Sequence, residues 1–554
     1  VVLSGQAGQG LKTIESLFMA MLQKSGHHAF LSKEFMSRVR GGNNTTQIRI
    51  ADSGVSAPVE RIDMVIVLSK DGLSRIKDRI GADTVVLGEQ AFIEAVPTAA
   101  RLVALPIADR MKELGSPIYA NNLVAGLLAG LFTCKADVAR QMITAQFSAK
   151  GEEVVAKNLQ AFDMGLALSK TLDVAVSVKV DPVVLAKTAL NGSAAIGIGA
   201  IAGGCDFIAS YPMSPSTAVL AYMASKARTY GVVVEQAEDE IAAINMALGA
   251  WYAGARAMVT TSGGGFALMT EGVSLAGGIE SPVVIHVAQR PGPATGLPTR
   301  TEQGDLNLAL YAGHGDFPRV IYAPGTFDDG IRLAHKAFET ADEFQVPVFL
   351  LTDQYFLDSE AFTEKIDFSA LPVQRRFIKT EQGYQRYRIT DSGLSPRGIP
   401  AYGDGLVCVD SDEHTEEGRI TEDFDVRIAM VDKRLRKTSG YVDVEPQVST
   451  DGQYETLVVG WGSTYGPIKE AVERIGDRTV AFASFTQVYP LPRSTEALLK
   501  KAKRLILVEN NATGQFGQLI SRELRIDFDA KVLKYNGLQF TVEELVGKLE
   551  EAMR

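Results

Sequence analysis

The sequence predicts an α/β protein of three domains, each built on a mostly parallel sheet. Two features predict it. Short apolar runs such as Asp63-Met-Val-Ile-Val-Leu68, Pro282-Val-Val-Ile-His-Val287 and Thr456-Leu-Val-Val-Gly460 recur along the chain, and stretches of helical rhythm lie between them. That alternation is the signature of strands covered by helices. The runs also fall into groups separated by polar chain bearing Pro and Gly, so the expected units are 1–175, 176–360 and 451–554, with 361–450 an irregular, charge-rich excursion. A length of 554 residues accommodates three or four domains at a prior of about 150 residues each.

In the first unit Val1–Ser4 reads as a buried strand, followed by a glycine turn and a helix from about Leu11 to Lys24. Asp63–Leu68 and Thr84–Leu87 read as further strands, with helical patterns from Asn121 onward. The second unit places strands at Phe207–Ser210, Val232–Val234, Ala257–Thr261, Pro282–Val287, Arg319–Tyr322 and Val346–Thr352. The third opens at Thr456–Gly460, continues through Arg504–Val508 and ends in a helix. No repeat and no low-complexity segment interrupts the chain.

Composition narrows the function. The chain is 46% hydrophobic and 22% charged, so it can build ordinary cores. A net charge of −10 speaks against nucleic acid as the main partner. No apolar run approaches the ~18 residues of a membrane span, and the opening Val-Val-Leu-Ser is already strand-like, so no signal peptide is expected. Cys134, Cys205 and Cys408 lie too far apart for a disulfide framework or a metal or iron–sulfur motif, which fits a reducing cytoplasm.

The chemistry concentrates in the second unit. Tyr211-Pro-Met-Ser-Pro-Ser-Thr217 follows a strand, and Ser214 reads as the N-cap of a helix with Pro215 as its first residue. Such an end offers N–H groups and a hydroxyl to an anion. Glu235-Gln-Ala-Glu-Asp-Glu240 crowds carboxylates against a helix buried along Ile241, Ile244 and Leu248. Crowded carboxylates are candidates for acid–base work; the plainer alternative is a capped helix with acidic residues favourable to its dipole. Thr261-Ser-Gly-Gly-Gly265 ends a strand and lets a ligand or another chain approach the backbone closely. Arg290 follows a strand and is freed from it by Pro291-Gly292. His286 sits inside that strand and reads as a satisfied core residue.

In the first unit, Gly5-Gln-Ala-Gly-Gln-Gly10-Leu-Lys12 nearly spells a P-loop, but Leu11 separates the last glycine from Lys12. Its spacing also differs from the dinucleotide fingerprint. It remains an anion-binding turn or a packing turn. Arg38-Val-Arg-Gly-Gly42 is a second glycine loop, with Arg38 and Arg40 suited to a phosphate-rich ligand or to the surface. Gly403-Asp-Gly405 lacks the Asn that a diphosphate/Mg²⁺ motif carries downstream, so no metal site is expected in this chain.

Together these stretches resemble the 2-oxoacid:ferredoxin oxidoreductases, with residues 1–175 similar to a γ subunit fused ahead of an α subunit. The resemblance rests on Gly5–Gly10, Arg40-Gly-Gly42, Gly115 with Asn121-Asn122, Tyr211–Thr217, Glu240, Ala253-Gly-Ala-Arg256, Thr261–Gly265, Gln289-Arg-Pro-Gly292, Leu297-Pro-Thr299, Glu302-Gln303 and Val508–Gln515. The branch that uses 2-oxoglutarate fits best; pyruvate or a branched-chain acid is the alternative substrate, and a non-catalytic acyl-CoA or nucleotide-binding scaffold the alternative class.

The resemblance implies a pyrimidine-binding domain for thiamine diphosphate at 176–360 and a transketolase C-terminal-like domain at 451–554. It implies decarboxylation of a 2-oxoacid on that cofactor, electrons leaving singly through a [4Fe–4S] cluster to ferredoxin, and the acyl group passing to coenzyme A, reversibly. Glu240 would hold the pyrimidine ring nitrogen. Tyr211, Pro212, Ser262 and Gly263 would line the cofactor. Arg290 would clamp the substrate carboxylate, with hydroxyls from Ser214 and Thr299. Gly8, Gly10, Arg38 and Arg40 would serve coenzyme A. A separate β subunit would bring Mg²⁺ and the cluster, in an (αβ)₂ heterotetramer. Two departures stand out: Ser214 occupies a position where many members carry Thr, and Phe35-Met-Ser-Arg-Val-Arg40 replaces a Tyr-Gly form of that loop.

Overall fold

The structure, a computed structural model, describes residues 1–6, 8–36, 42–95, 98–174 and 176–554. The fold is α/β, and the chain divides into two compact units. One comprises Val1–Leu190, Asp358–Lys365 and Thr541–Glu544; the other comprises Asn191–Leu357, Ile366–Phe540 and Leu545–Arg554.

The first unit departs from a parallel sheet. Val2–Gln6, Met64–Val67, Val85–Gly88 and Arg101–Ala104 are parallel neighbours. On its other side Val2–Gln6 pairs antiparallel with Asn43–Ala51, which pairs antiparallel with His28–Glu34. The last two strands were not expected. Asn43-Asn-Thr-Thr-Gln47 is polar, whereas the periodicity that reveals a strand in sequence is apolar. Its polar groups are buried all the same: Asn43 donates to Ser4 Oγ at 2.6 Å, and Thr46 to Glu15 at 2.5 Å. The helix Leu11–Ser25 covers the sheet, with Ile14, Leu17, Phe18, Met21 and Leu22 in its core.

The second unit holds two main sheets. In one, Phe207–Ser210, Val233–Gln236, Ala257–Thr261, Val283–Gln289, Pro347–Asp353 and Val320–Tyr322 run parallel. All six were read from the sequence; the readings of Val233–Gln236, Val283–Gln289, Val320–Tyr322 and Pro347–Asp353 began one residue early. Gln487–Tyr489 closes one edge antiparallel. In the other sheet, Val480–Phe485, Thr456–Trp461, Arg504–Glu509 and Ala530–Leu533 run parallel, with Gln447–Val448 antiparallel at the edge.

The stretch expected to be irregular carries order of a particular kind. It contains the helix Phe424–Arg436 and is fastened by buried charge. Arg256, fully buried, donates to Asp342 Oδ2 at 2.9 Å through Nη2. Arg397, from the excursion, donates to the other oxygen of Asp342 at 2.5 Å. Lys433 and Lys437 both reach the buried Glu280, at 2.7 and 2.6 Å. Glu280 has φ 51, following the helix Thr270–Gly278 in the left-handed region where glycine is usual. A glycine there would leave both ammonium groups without a counter-charge.

Candidate active site

Four of the motifs follow four neighbouring parallel strands: Phe207–Ser210, Val233–Gln236, Ala257–Thr261 and Val283–Gln289. They therefore share the carboxyl edge of one sheet, where open α/β folds bind ligands.

Glu240 is the buried member of its carboxylate cluster, at 3% exposure, whereas Glu235 and Glu238 are exposed. The reason is local. Asp239 takes the N-cap of the helix Glu240–Tyr252, its side chain accepting from Ala242 N at 2.7 Å. Glu240 is then free of capping duty, and its carboxylate turns inward. Its Oε1 is shut off from solvent and has no hydrogen-bond partner. A Cβ on Gly265 would collide with that oxygen and with Thr261 Oγ1, so glycine is what leaves room there.

Ser262 and Gly263 complete this floor. Ser262 Oγ is buried without a partner. A Cβ on Gly263 would collide with the carboxylate of Asp305.

Arg290 is half-buried beyond the end of its strand. Its Nη1 donates to the backbone carbonyl of Ser214 at 2.7 Å, bringing two of the expected residues together. The Nε is buried without a partner, and no carboxylate among the described residues pairs with the guanidinium. Burial lowers the pKa of Arg290 from its ordinary value, and Asp305 works against that.

The expected cap at Ser214 is not formed. The helix runs Thr217–Tyr230, and residues 214–216 make a turn instead. The Ser214 carbonyl is engaged by Arg290, and Ser216 Oγ donates to Met213 O at 2.7 Å, so neither serine caps the helix. Ser214 itself is exposed, as is Tyr211, and Pro212 is half-buried, all on the loop after the first strand. Thr299 is half-buried further along the Arg290 loop, two residues before Thr301, whose N–H donates to Gly537 O at 3.1 Å.

Asp305 is the residue sequence reading missed. It precedes the short helix Leu306–Leu310 and so looks like a cap, yet its side chain makes no capping bond. Its Oδ2 is shut off from solvent without a partner. Burial, the neighbouring Glu302 and, in opposition, Arg290 leave its carboxyl pushed up to about 7. A helix-start acid whose carboxylate is turned away from the helix leaves no mark in the sequence.

His286 is a satisfied core residue, 2.7 Å from Thr260 Oγ1 and 2.8 Å from Thr352 Oγ1. Burial lowers its pKa to about 3.

Of the other expected residues, Gly8 and Gly10 lie in the first unit with φ 88 and 78, Gly10 directly before the helix Leu11–Ser25. A Cβ on Gly10 would collide with Asn121 Nδ2, whereas Gly8 faces open space. Arg38 and Arg40 lie outside the described residues.

The chemistry of this floor suits thiamine diphosphate. A buried carboxylate oxygen with nothing to bond, beside a glycine that cannot be enlarged, fits the ring nitrogen of an aminopyrimidine. A buried hydroxyl without a partner, in the same floor, fits a further polar edge of such a ring.

Comparison with known proteins agrees. Residues 198–433 match the family model described as pyruvate flavodoxin/ferredoxin oxidoreductase, thiamine diphosphate-binding. Residues 1–168 match that of pyruvate ferredoxin/flavodoxin oxidoreductase. The 2-oxoacid:ferredoxin oxidoreductase 2 subunit alpha of Aeropyrum pernix is 29% identical over 100% of this chain and 97% of its own. The 2-oxoglutarate synthase subunit KorA of Archaeoglobus fulgidus is 33% identical over 65% of this chain and 98% of its own. A solved 2-oxoglutarate:ferredoxin oxidoreductase from Magnetococcus marinus, with 2-oxoglutarate, coenzyme A and succinyl-CoA bound, has a TM-score of 0.92 and 29% identity, covering 100% of this chain and 99% of that one. The chain belongs to the 2-oxoacid:ferredoxin oxidoreductases, as an α subunit.

Proposed function

We propose that the chain is the α subunit of a 2-oxoglutarate:ferredoxin oxidoreductase. The reaction converts 2-oxoglutarate and coenzyme A to succinyl-CoA and CO₂ with reduction of ferredoxin, and is reversible. The observation that carries the reading is the pairing, at one sheet edge, of a buried carboxylate oxygen without a partner on Glu240 and a guanidinium without a carboxylate on Arg290.

Bound thiamine diphosphate supplies the nucleophilic carbon and the electron sink for decarboxylation. Glu240 holds and returns a proton at Oε1, where burial keeps water from competing. Ser262 Oγ offers a hydrogen bond from the floor. Arg290 spends Nη1 on the Ser214 carbonyl, which fixes the guanidinium plane and leaves its Nε–Nη2 edge for a carboxylate.

The chain has no cluster of cysteines, and its cysteines are free thiols. In this reading a β subunit brings the [4Fe–4S] cluster and Mg²⁺, in a cytoplasmic (αβ)₂ assembly. Purified alone, the chain is expected to be colourless and inactive; a broad absorbance near ~400 nm from bound cluster would contradict this. Coenzyme A is assigned to the first unit through Gly8, Gly10, Arg38 and Arg40. Calorimetric titration is expected to show tighter binding of coenzyme A than of ATP, because Lys12 is displaced from the P-loop position; the reverse order refutes the assignment.

The test of substrate is kcat/KM of the αβ assembly for 2-oxoglutarate, pyruvate and 2-oxobutyrate with a low-potential acceptor. 2-Oxoglutarate is expected to lead. The solved relative with that acid bound, and the relative named for it, support this order. A tenfold preference for pyruvate would overturn it, and no turnover with any acid would favour a scaffold. Arg290→Lys loses the two-pronged fork, at a cost of about 1.5–3 kcal/mol, roughly ten- to hundredfold in KM. Wild-type KM in that variant would remove Arg290 from the role.

A further inference from the structure

Asp305 lies where the reaction must sort charge, and nothing in the proposed mechanism uses it. Three contacts define its place. Its backbone N–H donates to Gln289 Oε1 at 3.0 Å, tying it to the residue just before Arg290. Its carboxyl lies against the Cα of Gly263, in a space only glycine leaves open. Its Oδ2 is closed to solvent and has no partner. The charged groups that act on its carboxyl are Glu302, which repels a negative charge there, and Arg290, which attracts one.

A carboxyl in this setting has two states that treat Arg290 differently. As the neutral acid it presents no charge, and the guanidinium keeps its full attraction for an incoming anion. As the anion it sets a negative charge next to the place that a substrate carboxylate must enter, and it competes for the same guanidinium.

We propose that Asp305 is a positioning residue for the substrate clamp: protonated, it leaves Arg290 free for the carboxylate of the 2-oxoacid, and ionised, it takes that guanidinium for itself. The inference rests on the reading of Arg290 as the clamp. Binding of the anion then favours the protonated form, so above neutral pH each substrate bound takes up one proton from solvent at Asp305. The perturbed acidity of Asp305 places the change near pH 7.

The experiment uses the αβ assembly, with KM and kcat measured separately from pH 6 to 9 for 2-oxoglutarate and for pyruvate. In the wild type, KM is expected to rise above about pH 7, approaching tenfold per pH unit, as binding linked to one proton requires. Asp305→Asn keeps the shape of the neutral acid and removes its titration. Its KM is expected to stay near the low-pH value of the wild type across the range. A merely structural role would shift KM or kcat without flattening the pH profile. A wild-type KM independent of pH, or an Asn variant that keeps the wild-type slope, overturns the proposal.

A second measurement does not depend on the variant folding. Glutarate, a dicarboxylate without the keto group, is titrated into the wild-type assembly at pH 8 in two buffers of different ionisation heat. Uptake approaching one proton per site supports the proposal, and no uptake overturns it. Should pyruvate prove the preferred acid, the substrate reading falls while the slope is read on pyruvate. Should Arg290→Lys bind every acid as wild type does, the clamp itself falls.

Discussion

Glu240→Gln is expected to lower turnover of the assembled enzyme by roughly 10²–10⁴-fold, the range for losing one acid–base group. The amide matches the carboxylate in shape but cannot take and return a proton. Folding should survive, because Glu240 Oε1 has no hydrogen-bond partner among the described residues, and Asp239 rather than Glu240 caps the helix. The measurement is kcat with 2-oxoglutarate and a low-potential acceptor, alongside circular dichroism and co-purification with the β subunit. Glu238→Gln, at an exposed position, is the control and should keep normal turnover. Near-normal turnover in Glu240→Gln with loss in Glu238→Gln would falsify the assignment and shift the motif by two residues.

The largest expected effect on stability is at Glu280. Glu280→Gln leaves Lys433 and Lys437 buried with no counter-charge, and breaking a buried ion pair on one side costs about 3–5 kcal/mol. The denaturant midpoint of the chain should fall accordingly, first in signals from the second unit. Replacing Glu280, Lys433 and Lys437 together by Met should recover much of the loss, since an apolar trio has no charge to desolvate. An unchanged midpoint in Glu280→Gln would mean that water reaches the lysines. The pH dependence has a definite sign. Burial acts to raise the Glu280 pKa, but Lys437 and Lys433 outweigh it and hold it at about 2, below the ordinary 4.5. Its stabilisation is therefore complete above about pH 4.5 and is lost as pH falls from there towards about 2.

The parallel sheet of the second unit was legible because its strands other than the exposed edge strand Val233–Gln236 are apolar runs, as strands buried on both faces have to be. The strands Asn43–Ala51 and His28–Glu34 were not, since buried hydrogen bonds rather than apolar side chains hold part of them. Glu240 was singled out by its place in a motif, but the reason it differs from its acidic neighbours is a cap that Asp239 makes. Ser214 was misjudged for a related reason: a serine followed by proline carries the pattern of a helix start, and nothing local reveals that its carbonyl is claimed by an arginine far along the chain. Asp305 was hidden altogether, because only the packing against Gly263 distinguishes it from an ordinary cap.

Gln303 exchanges two backbone-like hydrogen bonds with Asn510, its N–H donating to Asn510 O at 2.7 Å and its Oε1 accepting from Asn510 N at 2.9 Å. Its Nε2 donates to Trp461 O at 2.8 Å, and Asn511 Nδ2 donates to its carbonyl at 3.1 Å. The segment that runs from Arg290 to Asp305 is thus held, through Gln303, against the sheet of residues 456–533. A change at Asn510 or Trp461 can therefore shift the Arg290 segment through Gln303 without altering Arg290 itself. Directed evolution of this protein towards a new acid should recover changes around Asn510 and Trp461 as readily as changes beside Arg290.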